Sequence, residues 1–168
     1  MAFIVTTETT LSDGAINNVD VSMPAGHQAG DMTVLMITQD GGGTAISVPA
    51  GFTQIGTQGA NQSQRTTAMF RVHAASEEAD VNITGTSDEW IVTAVLVRGA
   101  TTLSIDADDR TDSANSTSNS LTSGTVTTSV DNCLVLSCFG FDGVLKLALD
   151  NDSLNKSVNL GLVLEHRQ

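Results

Sequence analysis

Asp31-Met32-Thr33-Val34-Leu35-Met36-Ile37-Thr38-Gln39-Asp40-Gly41 is the stretch that decides how this chain folds. It opens on an acidic turn residue, runs through an apolar segment of strand length and ends in Asp-Gly. Such a run suits a strand buried on both faces or at the centre of a sheet. The pattern returns one hundred residues later, in Asp131-Asn132-Cys133-Leu134-Val135-Leu136-Ser137-Cys138-Phe139-Gly140-Phe141-Asp142-Gly143. The two copies are either a duplication or two unrelated buried strands. With no helix between them they predict an all-β fold: an antiparallel β-sandwich, jelly-roll-like, built from two similar halves if the duplication is real. That architecture points to an assembly or binding protein rather than an enzyme.

Working outward, strand signals recur at short intervals, separated by Gly, Asn or Asp. Residues 3–8 read as a first strand. Val19, Val21 and Met23 alternate with polar residues, and 24–30 is a turn. Ile46 and Val48 lead to a corner at Pro49-Ala50-Gly51, then a strand at 52–55. Residues 67–74 form another strand, with Ala68, Phe70 and Val72 on one face. Val81 and Ile83 precede a turn at Gly85, and 90–97 is a long apolar strand. Helix signals amount to one short turn at 74–79. After Ala100 the texture changes. An acidic patch at 106–112 is followed by a Ser/Thr-rich loop at about 111–129, and the core resumes at Val126 and Val130. Leu145, Leu147 and Leu149 then alternate, and 160–164 reads as a final strand. The whole of 1–168 is expected to form one domain. The second half lacks counterparts of the 81–83 and 90–97 strands. Either the natural chain continues past Gln168 by roughly 20 to 35 residues, or a neighbouring subunit donates the missing strand.

Composition narrows the partners. Of 168 residues, 40% are hydrophobic, enough for a sizeable core, and only 15% are charged, against roughly 25% in an average soluble domain. Ser, Thr, Asn, Gln and Gly must fill the solvent-facing positions. The formal net charge is −12 and the pI about 4.2, with seven basic residues against nineteen acidic ones. The basic residues are scattered, so no stripe exists for nucleic acid or an anionic membrane. Met1-Ala2-Phe3-Ile4-Val5 has neither the charged region nor the long apolar core of a signal peptide, and no apolar run reaches membrane-spanning length. The expectation is a soluble chain made in a cytoplasm.

Four segments carry a family resemblance. They are Ala29-Gly30-Asp31 before an apolar strand; Pro49-Ala50-Gly51-Phe52-Thr53 with Ile55 following; Met69-Phe70-Arg71-Val72 with Ser76-Glu77 after it; and Ala94-Val95-Leu96-Val97-Arg98-Gly99. In these, the sequence resembles a β-sandwich domain common in surface proteins of bacteriophage virions, of head-decoration and tail-fibre type. The match covers roughly residues 20 to 100 and departs at Phe52, where such proteins often have Trp. The resemblance implies a non-enzymatic structural protein on the outer surface of a particle, made in the host cytoplasm. A capsid decoration or cement protein fits best, because the chain is small, has no fibre-like shaft and is poor in aromatic platforms. A tail-fibre or receptor-binding domain, and a secreted carbohydrate-binding or adhesin module, are the alternatives. The implied partners are a major capsid protein or other virion proteins and further copies of the chain, a trimer being one form, with no nucleic acid and no membrane. Gly30 and Gly51 would make turns; Phe52 and Trp90 would pack the core.

Chemistry-bearing motifs are scarce. There is no Gly-x-Ser-x-Gly, Walker loop or His-Glu-x-x-His, and Gly41-Gly42-Gly43 reads as a hairpin tip. No catalytic residue and no cofactor are expected. Cys133 and Cys138 sit five apart on one strand, about 16 Å, too far for a disulfide, and read as core residues. His27, in a turn, reads as solvated. His27, His73 and His166 are far apart in sequence and lack further ligands for a metal. Asp106, Asp108, Asp109 and Asp112 have the oxygen-rich spacing that Ca²⁺ takes, but not the Gly and distal Glu of an EF-hand loop. They are read as a solvated acidic loop, with a calcium-stabilised loop as the alternative. The single Trp, Trp90, reads as core rather than as a sugar platform.

Overall fold

Five strands account for most of the described chain, and all of them pair antiparallel. The structure is a computed structural model that describes residues 3–40, 43–60, 64–75, 79–99, 104–105, 127, 129, 134 and 136. The strands are β1 (Phe3–Val21), β2 (Met32–Asp40), β3 (Thr53–Ala60), β4 (Gln64–Val72) and β5 (Val81–Arg98). They form one sheet in the order β1-β5-β2-β4-β3. The all-β antiparallel class expected from the sequence holds. No helix and no second hydrogen-bonded sheet occur among the described residues.

The Asp31–Asp40 stretch behaves as its composition requires. β2 lies between β4 and β5, and eight of its nine residues are buried. Its alternation feeds two cores, because successive side chains of a strand point to opposite faces. Leu35 and Ile37 join Met69, Trp90, Val92 and Ala94 on one face. Met32, Val34 and Met36 join Val95 and Val97 on the other. Each fully buried aliphatic side chain of this kind contributes roughly 1.5–3 kcal/mol.

β1 and β5 correct the sequence reading. Two short strands were expected at each place; each pair is instead one long strand, of 19 and 18 residues. They stay paired from Phe3↔Arg98 to Val21↔Val81, with register shifts between Ser12 and Asn18. The Gly85 turn is a bend inside β5. Five residues of straight strand span about 16 Å, too far for an indole to bridge, yet a Cβ placed on Gly85 would lie 2.6 Å from the Trp90 ring and 2.6 Å from Gln39 Oε1. The ribbon therefore folds back over the sheet where β1 shifts register, a usual role of bulges. The folded part carries Val19, Val21 and Ile83 onto Leu35, Ile37 and Trp90. Trp90 donates its indole N–H to Ile16 O at 2.9 Å, which satisfies the polar end of a buried Trp.

Loops complete that face with Met23, Ile46 and Phe52. Gln58 fixes one of them, accepting from Ile46 N at 2.9 Å and donating to Ile46 O at 2.6 Å. The opposite face is flanked by Ile4, Ile55 and Phe70, and Ile105, Leu134 and Leu136 pack on it. Phe52 and Trp90, expected in the core, are buried, as is Val95, while Phe70, Leu134 and Leu136 are half-buried. Gly30 and Gly51 occupy turns with φ of 90° and 81°. The rest of the second copy, the acidic patch, nearly all of the Ser/Thr-rich loop and everything after Leu136, including the alternation at Leu145, Leu147 and Leu149 and the final strand expected at 160–164, lie outside the described residues.

Candidate functional site

The connection from β1 to β2, residues 22–31, runs across one end of the sheet and buries a polar cluster beneath itself. Asp31 is 3% exposed, His27 7% and His73 2%. The placement follows from register. Met32 pairs with Val72 in β4 and with Val97 in β5, so the next residues out, Asp31, His73 and Arg98, meet at the sheet end. Backbone bonds extend the pairing by one step: His73 N donates to Asp31 O and Gly30 N to His73 O, both at 2.8 Å.

Arg98 grips Asp31 with two parallel bonds, Nε to Oδ1 at 2.8 Å and Nη2 to Oδ2 at 2.6 Å. The same Nη2 reaches Gly26 O at 3.0 Å. Asp31 Oδ2 also accepts from Gln28 N at 2.8 Å. The hydrogen bond from Arg98 is the chief reason the Asp31 carboxyl is held below its usual value. Burial opposes that shift, and the Gln28 amide and the charges of Arg98 and His73 add to it. Arg98 is raised in turn by the same bond.

The two imidazoles stack inside the loop, with centroids 4.2 Å apart and planes 26° from parallel. His27 Nδ1 donates to Pro24 O at 2.9 Å, since a carbonyl can only accept. His73 Nε2 and Thr33 Oγ1 are 2.7 Å apart. The outer side of the loop is tied to carboxylates: Ser22 Oγ and Met23 N donate to Asp80 at 3.1 and 3.0 Å, and Ala25 N to Glu8 Oε1 at 3.1 Å.

His27 is thus not the solvated turn residue expected from the sequence. The loop folds inward, and His73 supplies a ring for it to stack on. Sequence distance hid the pair; the signal that could have found it is the β2–β4 register, which sets residue 31 opposite residue 73. His166 and the calcium candidates Asp106, Asp108, Asp109 and Asp112 lie outside the described residues. Among the described residues, no three His, Cys, Asp or Glu converge as a metal site.

The described residues of the four segments singled out in the sequence converge at this end. Gly30 bonds His73, Asp31 holds Arg98, and the Arg71 guanidinium lies 4.9 Å from the centre of the Phe52 ring. Thr33 and His73 have the hydroxyl–imidazole contact of a nucleophile and its base. Thr33, however, is wholly buried, and both Asp31 oxygens are taken by Arg98. Compared with protein-family models, curated proteins and solved structures, the chain matches none.

Proposed function

We propose that this chain is a non-enzymatic structural protein of a bacteriophage particle, a decoration or cement protein on the outer surface of the head. The observation that favours this reading is how the polar cluster under residues 22–31 is used. Asp31, Arg98 and His73 join a loop to the sheet, and the Thr33 hydroxyl that meets the His73 imidazole is sealed from solvent. The residues that resemble virion surface domains build a firm corner, not a reactive cleft.

Packing on both faces of the sheet, with Ile105, Leu134 and Leu136 on one of them, favours a two-layer sandwich. The acidic, charge-poor composition suits the outside of a DNA-filled shell. In this reading the chain is made in the host cytoplasm and joins the major capsid protein or neighbouring copies, a trimer being one form. Each contact buries near the standard interface of about 1,600 Å². The action is adhesive: surface buried across junctions between capsomers stiffens the shell.

Gold-labelled antibody raised against the purified chain, applied to particles released from the source culture, tests the proposal. Dense label over heads supports it. Label confined to tail tips shows a fibre or receptor-binding protein instead, and particles without label overturn the virion assignment.

A further inference from the structure

We infer that the hollow beside the register shifts of β1 is a binding site for a neutral sugar, held through two neighbouring hydroxyls of its ring. The hollow has a volume of about 610 Å³, within the roughly 300–1,000 Å³ of small-molecule sites. Leu11, Ile16, Asn17, Asn18, Asp20 and Ser87 line it. It arises where β1 departs from regular pairing, between Ser12 and Ile16 and again between Ile16 and Asn18. The Trp90 indole bonds Ile16 O and so ties the irregular stretch to the buried sheet.

The polar wall is ordered by its own hydrogen bonds. Asn18 and Asp20 are two apart on β1 and lie on one side of it, while Val19 between them enters the core. Asn82 is the β5 residue opposite Asp20. Its Nδ2 donates to Asp20 Oδ1 at 2.7 Å and to Asn18 Oδ1 at 3.3 Å, and Asn18 Nδ2 donates to Asn17 Oδ1 at 2.9 Å. A carboxylate can only accept, so Asp20 sets the direction of each amide in turn. The ladder uses one oxygen of Asp20 and the oxygen of Asn17. Its two ends therefore present an acceptor, Asp20 Oδ2, and a donor, Asn17 Nδ2. Neighbouring sugar hydroxyls match that combination, because a hydroxyl both donates and accepts. Leu11 is 62% exposed and Ile16 39%, which offers apolar surface to the C–H face of a ring. The Asp20 carboxylate disfavours an acidic ligand. With aliphatic side chains in place of aromatic rings, binding is weak, with a Kd of about 1 mM.

The test is ¹H–¹⁵N spectroscopy of the full chain, titrated in turn with the methyl glycosides of glucose, galactose, mannose and N-acetylglucosamine. At least one is expected to give saturating shifts confined to residues 11–20 and 82–88. The disaccharide of the sugar that binds is run beside it: equal or tighter binding assigns the site to the end of a glycan, and loss of binding to a free sugar. Asp20→Asn, which removes the carboxylate acceptor, should weaken binding about tenfold or more. Asn82→Ala, which leaves Asp20 in place but unties the ladder, should weaken it less. Both positions are exposed, and the signals of β2 report that each variant is folded. Saturating shifts from none of the four glycosides, saturating shifts elsewhere in the chain, or unchanged affinity in either folded variant overturn the inference.

Discussion

Arg98 and Asp31 are sixty-seven residues apart in sequence and are joined by a two-pronged ion pair of 2.8 and 2.6 Å. Asp31 immediately precedes the central strand, and Arg98 ends the strand paired beside it. The pair fixes where β2 starts and closes the loop that precedes it. Arg98→Ala leaves a buried carboxylate without its guanidinium partner, a situation that destabilises far more than loss of an exposed pair. The expected result is a clear drop in melting temperature. Arg98→Lys restores only part of it, because an ammonium cannot match both oxygens at once. Calorimetry of the three proteins checks the order wild type, Lys, Ala.

The same pair sets the behaviour in strong acid. The Asp31 carboxyl is held below its ordinary value, chiefly by the Arg98 hydrogen bond. A depressed carboxyl stabilises the fold fully above the range where the unfolded chain ionises. That contribution is lost as pH falls through the ordinary value of 3.8 and on to the folded one. Between pH 5 and pH 2.5, urea midpoints should fall more steeply for the wild type than for Asp31→Asn, which has no such proton to bind. Parallel curves refute the assignment.

The central position of β2 was legible because the stretch is mostly apolar, unbroken from Val34 to Ile37, with only uncharged Thr33, Thr38 and Gln39 among its eight buried positions, which suits a strand covered on both faces. The continuity of β5 was not. Gly85 and the polar residues around it look like a turn between two strands, and the sequence carries no mark that pairing continues through the bend. The polar cluster was hidden for a related reason. His27, Asp31, His73 and Arg98 come together through strand register, and periodicity shows which face a residue takes but not which residue lies opposite it.

The bend in β5 predicts a specific intolerance at Gly85. An added Cβ would meet Gln39 Oε1 and the Trp90 ring, each at 2.6 Å. The indole is buried and tied to Ile16 O, so it cannot move aside cheaply. Gly85→Ala should therefore cost about 1–3 kcal/mol, the usual range for overpacking. Chemical denaturation gives the value, and a near-neutral result would mean that the bend is looser than described.

The folded-back ribbon must also contribute core, not merely cover it. Ile83 is fully buried and packs with Val19, Val21, Leu35 and Trp90. Ile83→Ala should lower stability by about 2–5 kcal/mol, as for a large aliphatic deleted from a packed interior. A loss well under 1 kcal/mol would show that the ribbon is a detachable flap.

The opposite face of the sheet makes a demand on the second half of the chain. Met32, Val34, Met36, Val95 and Val97 are buried there, and Ile105, Leu134 and Leu136 pack against them. Leu134 and Leu136 are two apart and touch the same cluster, the spacing at which an extended segment turns alternate side chains to one side. A chain ending at Gly99 loses that cover and exposes a contiguous apolar surface of the kind that drives association. Residues 1–99 expressed alone should aggregate or bind hydrophobic dyes, while the full chain does neither. In the full chain, Leu134→Asp should cost about 1–3 kcal/mol by the same logic. If residues 1–99 are soluble and monomeric by ultracentrifugation, and Leu134→Asp leaves the urea midpoint unchanged, the sheet is covered by something else and the domain ends near residue 99.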